Sequence, residues 1–112
     1  MPPRFLQIVS TQPSPDAEPE FNDWYENTHV PEVLRMPGFL TGQRFRLVDS
    51  VPPFDGPQYL AVYEIESDDI DATLRTVIEM APGRTKSQSI DTTVSIVRMY
   101  EALGPQQRRA DS

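Results

Sequence analysis

The β-rich segments of this chain are apolar on both faces, and that narrows the folds open to it. In Arg4–Thr11, RFLQIVST, Phe5 and Val9 alternate against Leu6 and Ile8. In Gln58–Glu66, QYLAVYEIE, Tyr59, Ala61, Tyr63 and Ile65 alternate against Leu60 and Val62. In Thr92–Ala102, TTVSIVRMYEA, Val94 and Ile96 alternate against Val97 and Met99. Successive strand residues point to opposite sides of a sheet, so a strand with one wet face reads apolar and polar in turn. These strands read as covered on both sides.

The rest of the chain offers cover for one side only. A Pro-rich loop, QPSPDAEP, precedes a helix expected over Pro19–His29, with Pro19 suited to a first helical turn and Glu18 and Glu20 near its positive end. Pro31 disfavours helical geometry at Val30, so the helix is expected to stop there, with a short piece restarting over Pro31–Met36. Strand two is read over Phe39–Asp49 and a second helix over Asp68–Met80, with Ser67 as its N-cap. Ile70, Leu74, Val77 and Ile78 share one face of that helix. The order is β-α-β-β-α-β, a ferredoxin-like α+β arrangement with a four-stranded antiparallel sheet. Two helices cover one face of such a sheet. With 112 residues, a chain buries only about two thirds of its unfolded surface. The simplest cover for the other face is a second copy, and a homodimer is expected. Residues 1–103 form the expected domain, and GPQQRRADS, 104–112, a polar tail without fixed structure.

Composition excludes several functions. Asp plus Glu number 17 against 10 Lys plus Arg, a net charge of -7. With no Lys or Arg between Arg4 and Arg35, although His29 lies there, such a surface repels phosphate backbones and anionic lipid, so neither nucleic-acid nor membrane partners are expected. No apolar run approaches the length of a spanning helix, and the N-terminus shows no export signal, which points to a cytoplasmic protein. There is no Cys, hence no thiolate nucleophile and no Cys-ligated metal. With a single His, a zinc or non-haem iron site within one protomer is not expected. No cofactor is expected.

That single His, His29, lies in FNDWYENTHVPE with the chain's single Trp. At 100° per residue Phe21, Trp24, Tyr25 and Thr28 share one face, with His29 at its border; Asn22, Asp23, Glu26 and Asn27 face solvent. His29 has two readings. It can cap carbonyls where Pro31 breaks the helix, or act as a general acid or base near neutral pH. Glu26, Glu32 and the negative helix end favour its charged form; burial behind Trp24 and Tyr25 favours the neutral one.

Phe21–Leu47, FNDWYENTHVPEVLRMPGFLTGQRFRL, resembles the dimeric α+β barrel superfamily, in particular its small EthD-like single-domain members. The resemblance is carried by Trp24, Tyr25, His29, Pro31, Pro37, Gly38, Phe39 and Arg44. It implies a sheet that pairs into a barrel between two copies. It also implies acid–base chemistry on aromatic or polyketide-like carbonyl compounds, of lyase, cyclase or isomerase type, without a cofactor. The superfamily also contains haem binders, which need an axial ligand, and His29 is the sole candidate for one.

The candidate catalytic groups are His29, Tyr25 and Tyr63, the last mid-strand where a phenol must find a partner. Arg44 is the candidate for a substrate's acidic group, although a solvated or interface ion pair is its ordinary role. Phe21, Trp24, Phe39 and Phe45 are candidate aromatic walls; for Phe21 and Trp24 simple core packing is the ordinary role. Thr41, Gln43 and Phe45 share a strand face expected to line a pocket on the helix side. The expected function is proton transfer by His29 next to a carbonyl. The alternatives are a cofactor-free quinone-forming monooxygenase and a non-catalytic dimeric binding protein.

Overall fold

The computed structural model describes residues 3–110. Four strands, β1 (Arg4–Thr11), β2 (Phe39–Arg46), β3 (Tyr59–Glu66) and β4 (Ile96–Glu101), form one antiparallel sheet in the order β2-β3-β1-β4. One face carries the helices α1 (Glu18–Trp24), α2 (Val30–Val33) and α3 (Ile70–Met80). This is the ferredoxin-like α+β fold that the element order predicts. β2 is shorter than expected because 47–58 leave the sheet. Residues 92–94 form a 3₁₀ turn rather than the start of β4. Asp69, not Ser67, caps α3, its carboxylate accepting from the Ala72 N–H at 3.1 Å. Residues 104–110 carry neither helix nor strand.

The core lies between the sheet and the α1–α2 segment. Phe5, Phe39, Tyr59, Ala61, Tyr63 and Ile65 from the sheet meet Phe21, Tyr25, Val30, Val33 and Met36. Phe21 is fully buried, and burial of such a ring stabilises by about 1.5–3 kcal/mol. α3 contributes less. Ile70 and Val77 pack on the core, but Ile78 is 72% exposed. It stands at the edge of its stripe, and the helix ends two residues later.

Pro31 does not end the helix. α1 runs into a π turn, Tyr25–His29, which runs directly into α2 with helical geometry at Val30 (φ -58°, ψ -48°). The Val30 N–H donates to the Tyr25 carbonyl five residues back. Pro31 has no N–H to give and its ring crowds the preceding turn. Widening that turn by one residue absorbs both defects. The extra residue also shifts the phase. Val30, which a regular helix would turn outward, instead takes a place on the Tyr25 face and is buried.

The open face carries three cross-strand rows: Thr41–Glu64–Leu6–Tyr100, Gln43–Val62–Ile8–Arg98 and Phe45–Leu60–Ser10–Ile96. Thr41, Gln43 and Phe45 thus lie on the side of the sheet away from the helices, contrary to their expected place. The bulge between Phe39 and Thr41 sets this parity. Phe39 is buried toward the helices, and the inserted Leu40 turns the rest of β2 over. Leu6, Leu60, Phe45, Ile96 and Tyr100 on this face are each more than a third exposed.

Candidate functional site

Between the sheet and the π turn lies a buried polar cluster. Tyr25 and Tyr63 are each 1% exposed, one from the π turn and one from β3. Their hydroxyls, together with His29 Nδ1 and Gln7 Oε1, are buried without a hydrogen-bond partner. Gln7 stands opposite Tyr63 in the β1–β3 ladder, on the same face. Buried polar atoms are nearly always paired, and each one left alone costs about 1–3 kcal/mol. Four in one layer is a concentration of unmet hydrogen-bonding capacity.

The π turn builds this arrangement. It sets His29 against Tyr25, edge to face with ring centres 4.8 Å apart, and stacks it on Trp24 at 4.8 Å and 26°. Gly42 on β2 leaves the space that the Tyr63 ring fills; a Cβ there would stand 2.9 Å from the ring. Tyr59 and Phe21 close the layer at its far end, their ring centres 5.2 Å apart.

Two guanidinium groups border the cluster. Arg44 lies 4.8 Å from the Tyr25 ring centre and 5.4 and 5.6 Å from those of Phe21 and Tyr59. It donates to Asn22 Oδ1 at 2.8 Å and to the Asn22 carbonyl at 3.4 Å. Arg84, in the loop after α3, donates to Met36 Sδ at 3.1 Å, and its charge acts on His29, Tyr25 and Tyr63. Among the described residues, the ion pairs are those of Arg4 with Glu64 and Glu66. Among those residues neither Arg44 nor Arg84 has a carboxylate at ion-pair distance.

Burial governs the ionisation of the cluster. The imidazole of His29 is held down to about 4, first by desolvation, then by Arg84, with Glu32 opposing. Of the two influences expected on His29, burial prevails, because the helix continues and gives it no negative terminus. Tyr25 is pushed up to about 12 by burial, against the pull of the neighbouring Tyr63 and Thr11 hydroxyls and of the two arginines. Tyr63 is pushed higher still, by burial and then by Tyr25. At neutral pH the cluster therefore holds a neutral imidazole and two protonated phenols.

The loop 81–90 covers His29 from outside. The Trp24 indole N–H donates to the Thr85 carbonyl at 3.3 Å, and both Glu32 carboxylate oxygens accept from the Thr85 N–H at 3.1 Å. A hollow of about 290 Å³ lies on one side of this strap, lined by Glu32, Met36, Gly83 and Arg84. One of about 430 Å³ lies on the other, lined by Trp24, Thr28 and Lys86. A third, about 700 Å³, is on the open sheet face between Gln43, Phe45, Val62 and Leu103–Gln106. His29 lines none of these three.

The structure thus brings His29, Tyr25, Tyr63, Arg44, Trp24 and Phe21 together. Phe39 stays at the edge of the layer, stacked edge-on against Tyr63 at 6.0 Å. Gln43 and Phe45 are across the sheet. Arg84, Gln7 and Asn22 were not foreseen. Arg84 sits in a loop without periodicity, Gln7 occupies an apolar strand, and Asn22 reads as solvent face; nothing local marks any of them. Among the described residues no group of three His, Cys, Asp or Glu could hold a metal ion, and no helix is long and apolar enough to cross a membrane.

Solved structures share this architecture. An EthD-family protein from Bacillus halodurans aligns with a TM-score of 0.53 at 14% identity, over 88% of this chain and 99% of its own. The heme-degrader MhuD from Mycobacterium tuberculosis, with two hemes in its active site, aligns at 0.57 and 20% identity over 92% and 99%. A MhuD point mutant with two manganese protoporphyrin IX molecules per active site aligns at 0.59 and 20% over 93% and 99%. These likenesses establish the ferredoxin-like α+β fold. No curated protein matches the sequence significantly. Residues 6–75 match the model of a family described as a domain of unknown function, DUF4286, and the chain belongs to that family.

Proposed function

We propose that this protein is a cofactor-independent enzyme that moves a proton next to a carbonyl in a small aromatic or polyketide-like molecule, as a lyase, cyclase or isomerase. The observation that carries this is the set of four unpartnered polar atoms buried in one layer: Tyr25 Oη, Tyr63 Oη, His29 Nδ1 and Gln7 Oε1. A neutral imidazole has a lone pair free to take the proton from carbon. The two phenols, held protonated, donate to the oxygen on which enolate charge develops. Arg44 adds positive charge beside them. His29 is a weak base in the empty site, but the enolate forming alongside it favours the imidazolium, so its basicity rises as the reaction proceeds. Phe21 and Trp24 wall the layer and exclude water. A second copy packed on the apolar open face completes the fold as a homodimer.

The residues do not fit a heme. Phe21, Tyr25 and Tyr63 fill the layer beside His29, and His29 lines none of the three hollows described above.

Hydrogen–deuterium exchange at the carbon between the carbonyls of benzoylacetone, followed by NMR, tests the proposal. The protein should accelerate exchange over buffer, and His29→Gln should remove about a hundredfold of that excess. A fully active variant would end the assignment of His29. Oxygen uptake without added metal or flavin would instead indicate quinone-forming oxygenation. The close packing beside His29 also supports a second reading, a non-catalytic binding protein; that reading gains if exchange never exceeds the buffer rate.

A further inference from the structure

The strap over His29 is firmly anchored at its ends and lightly tied in its middle. We infer that residues 84–87 are a lid, hinged at Gly83 and latched at Thr85 by Trp24 and Glu32, whose release opens His29 to molecules from solution. After the lid the chain is pinned. Ser89 is buried, and the Ser14 N–H donates to its carbonyl at 2.6 Å. The Ser14 hydroxyl donates to the Gln88 carbonyl at 2.8 Å, and the Asp91 N–H to the Gln12 carbonyl at 2.8 Å. Ile90 bridges Pro13 and packs on the core. Before the lid, α3 and the turn Ala81–Gly83 carry the chain to the hinge. A Cβ at Gly83 would meet nothing within 4 Å, so no neighbour resists rotation there.

The lid itself is held differently. No residue of 81–88 is buried. Among the described residues, the hydrogen bonds from 84–87 to the helical segment come from Arg84 and Thr85 alone. Arg84 reaches the Met36 thioether, a weak acceptor, at 3.1 Å. Thr85 carries the latch. Its carbonyl accepts from the Trp24 indole N–H at 3.3 Å. Its N–H donates to both Glu32 oxygens at 3.1 Å, and its hydroxyl to one of them at 3.3 Å. These latch bonds are all exposed to solvent. Exposed hydrogen bonds without buried apolar contact mark a segment that opens while the rest of the fold stays closed.

The latch sits where opening has a consequence. Gly83 and Arg84 line the hollow of about 290 Å³, and Lys86, Ser87 and Gln88 line that of about 430 Å³. Thr85 lies between them in the chain and lines neither. Of its two holders, Trp24 is stacked on His29 at 4.8 Å, and Glu32 is three residues beyond His29. Lifting Thr85 joins the two hollows into one groove passing over Trp24 and His29. With the lid down, His29 lines neither hollow and its Nδ1 is buried. Opening of the lid therefore sets how often the imidazole meets a dissolved molecule.

The chain has one His and one Trp, both beside the latch, so two reagents read the lid directly: diethyl pyrocarbonate on His29 and acrylamide quenching of Trp24 fluorescence. Glu32→Ala removes the acceptor of the latch. Thr85→Pro removes the N–H donor and leaves the Glu32 charge in place. Arg84, at φ -81° and ψ 152°, already has the geometry favoured before a proline. Each variant should speed His29 modification about fivefold or more and increase the quenching of Trp24. Gly83→Ala stiffens the hinge and should lower both. Amide exchange in β1 and β3 should match the parent in all three, which separates a released lid from a loosened fold. Parent-like His29 modification in both Glu32→Ala and Thr85→Pro would overturn the lid, as would a rise seen only together with faster exchange in β1 and β3. The lid goes beyond the proposed function, since it governs access to His29 whatever His29 does. Neither reagent is a substrate, so a protein inactive toward benzoylacetone leaves the lid standing, and a rigid strap leaves the enzymatic reading to its own test.

Discussion

The indole of Trp24 lies stacked on the imidazole of His29, ring centres 4.8 Å apart and planes 26° from parallel. The chain has one of each residue, so each reports on the other. His29 is held down to about 4 in the folded protein, mainly by burial, against about 6.5 in an unfolded chain. Above pH 6.5 both states are neutral there and nothing is lost. As pH falls from 6.5 to 4 the unfolded chain takes up a proton that the folded chain refuses, so this residue costs stability. Below about 4 both states carry it and the loss levels off. Partial exposure screens the effect, and about 2 kcal/mol is expected. Urea unfolding at pH 7, 5.5 and 4.5 should show this loss in the parent and not in His29→Gln. Parallel curves for the two proteins would refute it.

Tyr25 and Tyr63 each bury a hydroxyl without a partner. Removing an unsatisfied buried group relieves its desolvation cost. Tyr25→Phe and Tyr63→Phe should therefore each stabilise the protein by about 1 kcal/mol, a rise of roughly 4 °C in Tm. The same changes should slow carbonyl-linked exchange at least tenfold. Groups kept for packing alone would not show gain in one measurement and loss in the other.

Gly42 makes room for the site. A Cβ there would lie 2.9 Å from Cδ1 and Cε1 of Tyr63 and 3.1 Å from Val30 Cγ1. Gly42→Ala should cost about 1–3 kcal/mol by overpacking, and it should displace the Tyr63 ring. Denaturant unfolding gives the first quantity, and the shift of the Tyr63 ring protons the second. An unshifted Tyr63 would mean the ring is not held by this contact.

Ile8 and Val62 face each other at the centre of the open sheet face. If a second copy covers them, a carboxylate at either position must be desolvated without a partner. Ile8→Glu and Val62→Glu should shift sedimentation from dimer to monomer at micromolar concentration. A monomeric parent protein would remove the premise.

The alternation of apolar residues in β1, β3 and β4 determined the fold class, because strand pleating fixes which side chains share a face whatever lies elsewhere. The same rule placed Tyr59 with Tyr63, and helical spacing put Tyr25 and His29 near one face. It failed where one inserted residue changes the phase. The π turn before Pro31 swings Val30 inward and keeps the helix going past His29. The bulge at Leu40 sends Gln43 and Phe45 to the opposite side of the sheet from the imidazole. Both insertions are settled by packing against neighbouring elements, and no window of sequence contains those neighbours. Arg84 shows the limit most plainly. It is 55 positions from His29 in the chain, in a loop with no pattern of its own, and only the closing of that loop over the helix sets its charge beside the site. The sequence alone settled which side chains can act together on one element; the tertiary structure decided which elements meet, because contact between distant segments is a property of the packed layer and not of any segment within it.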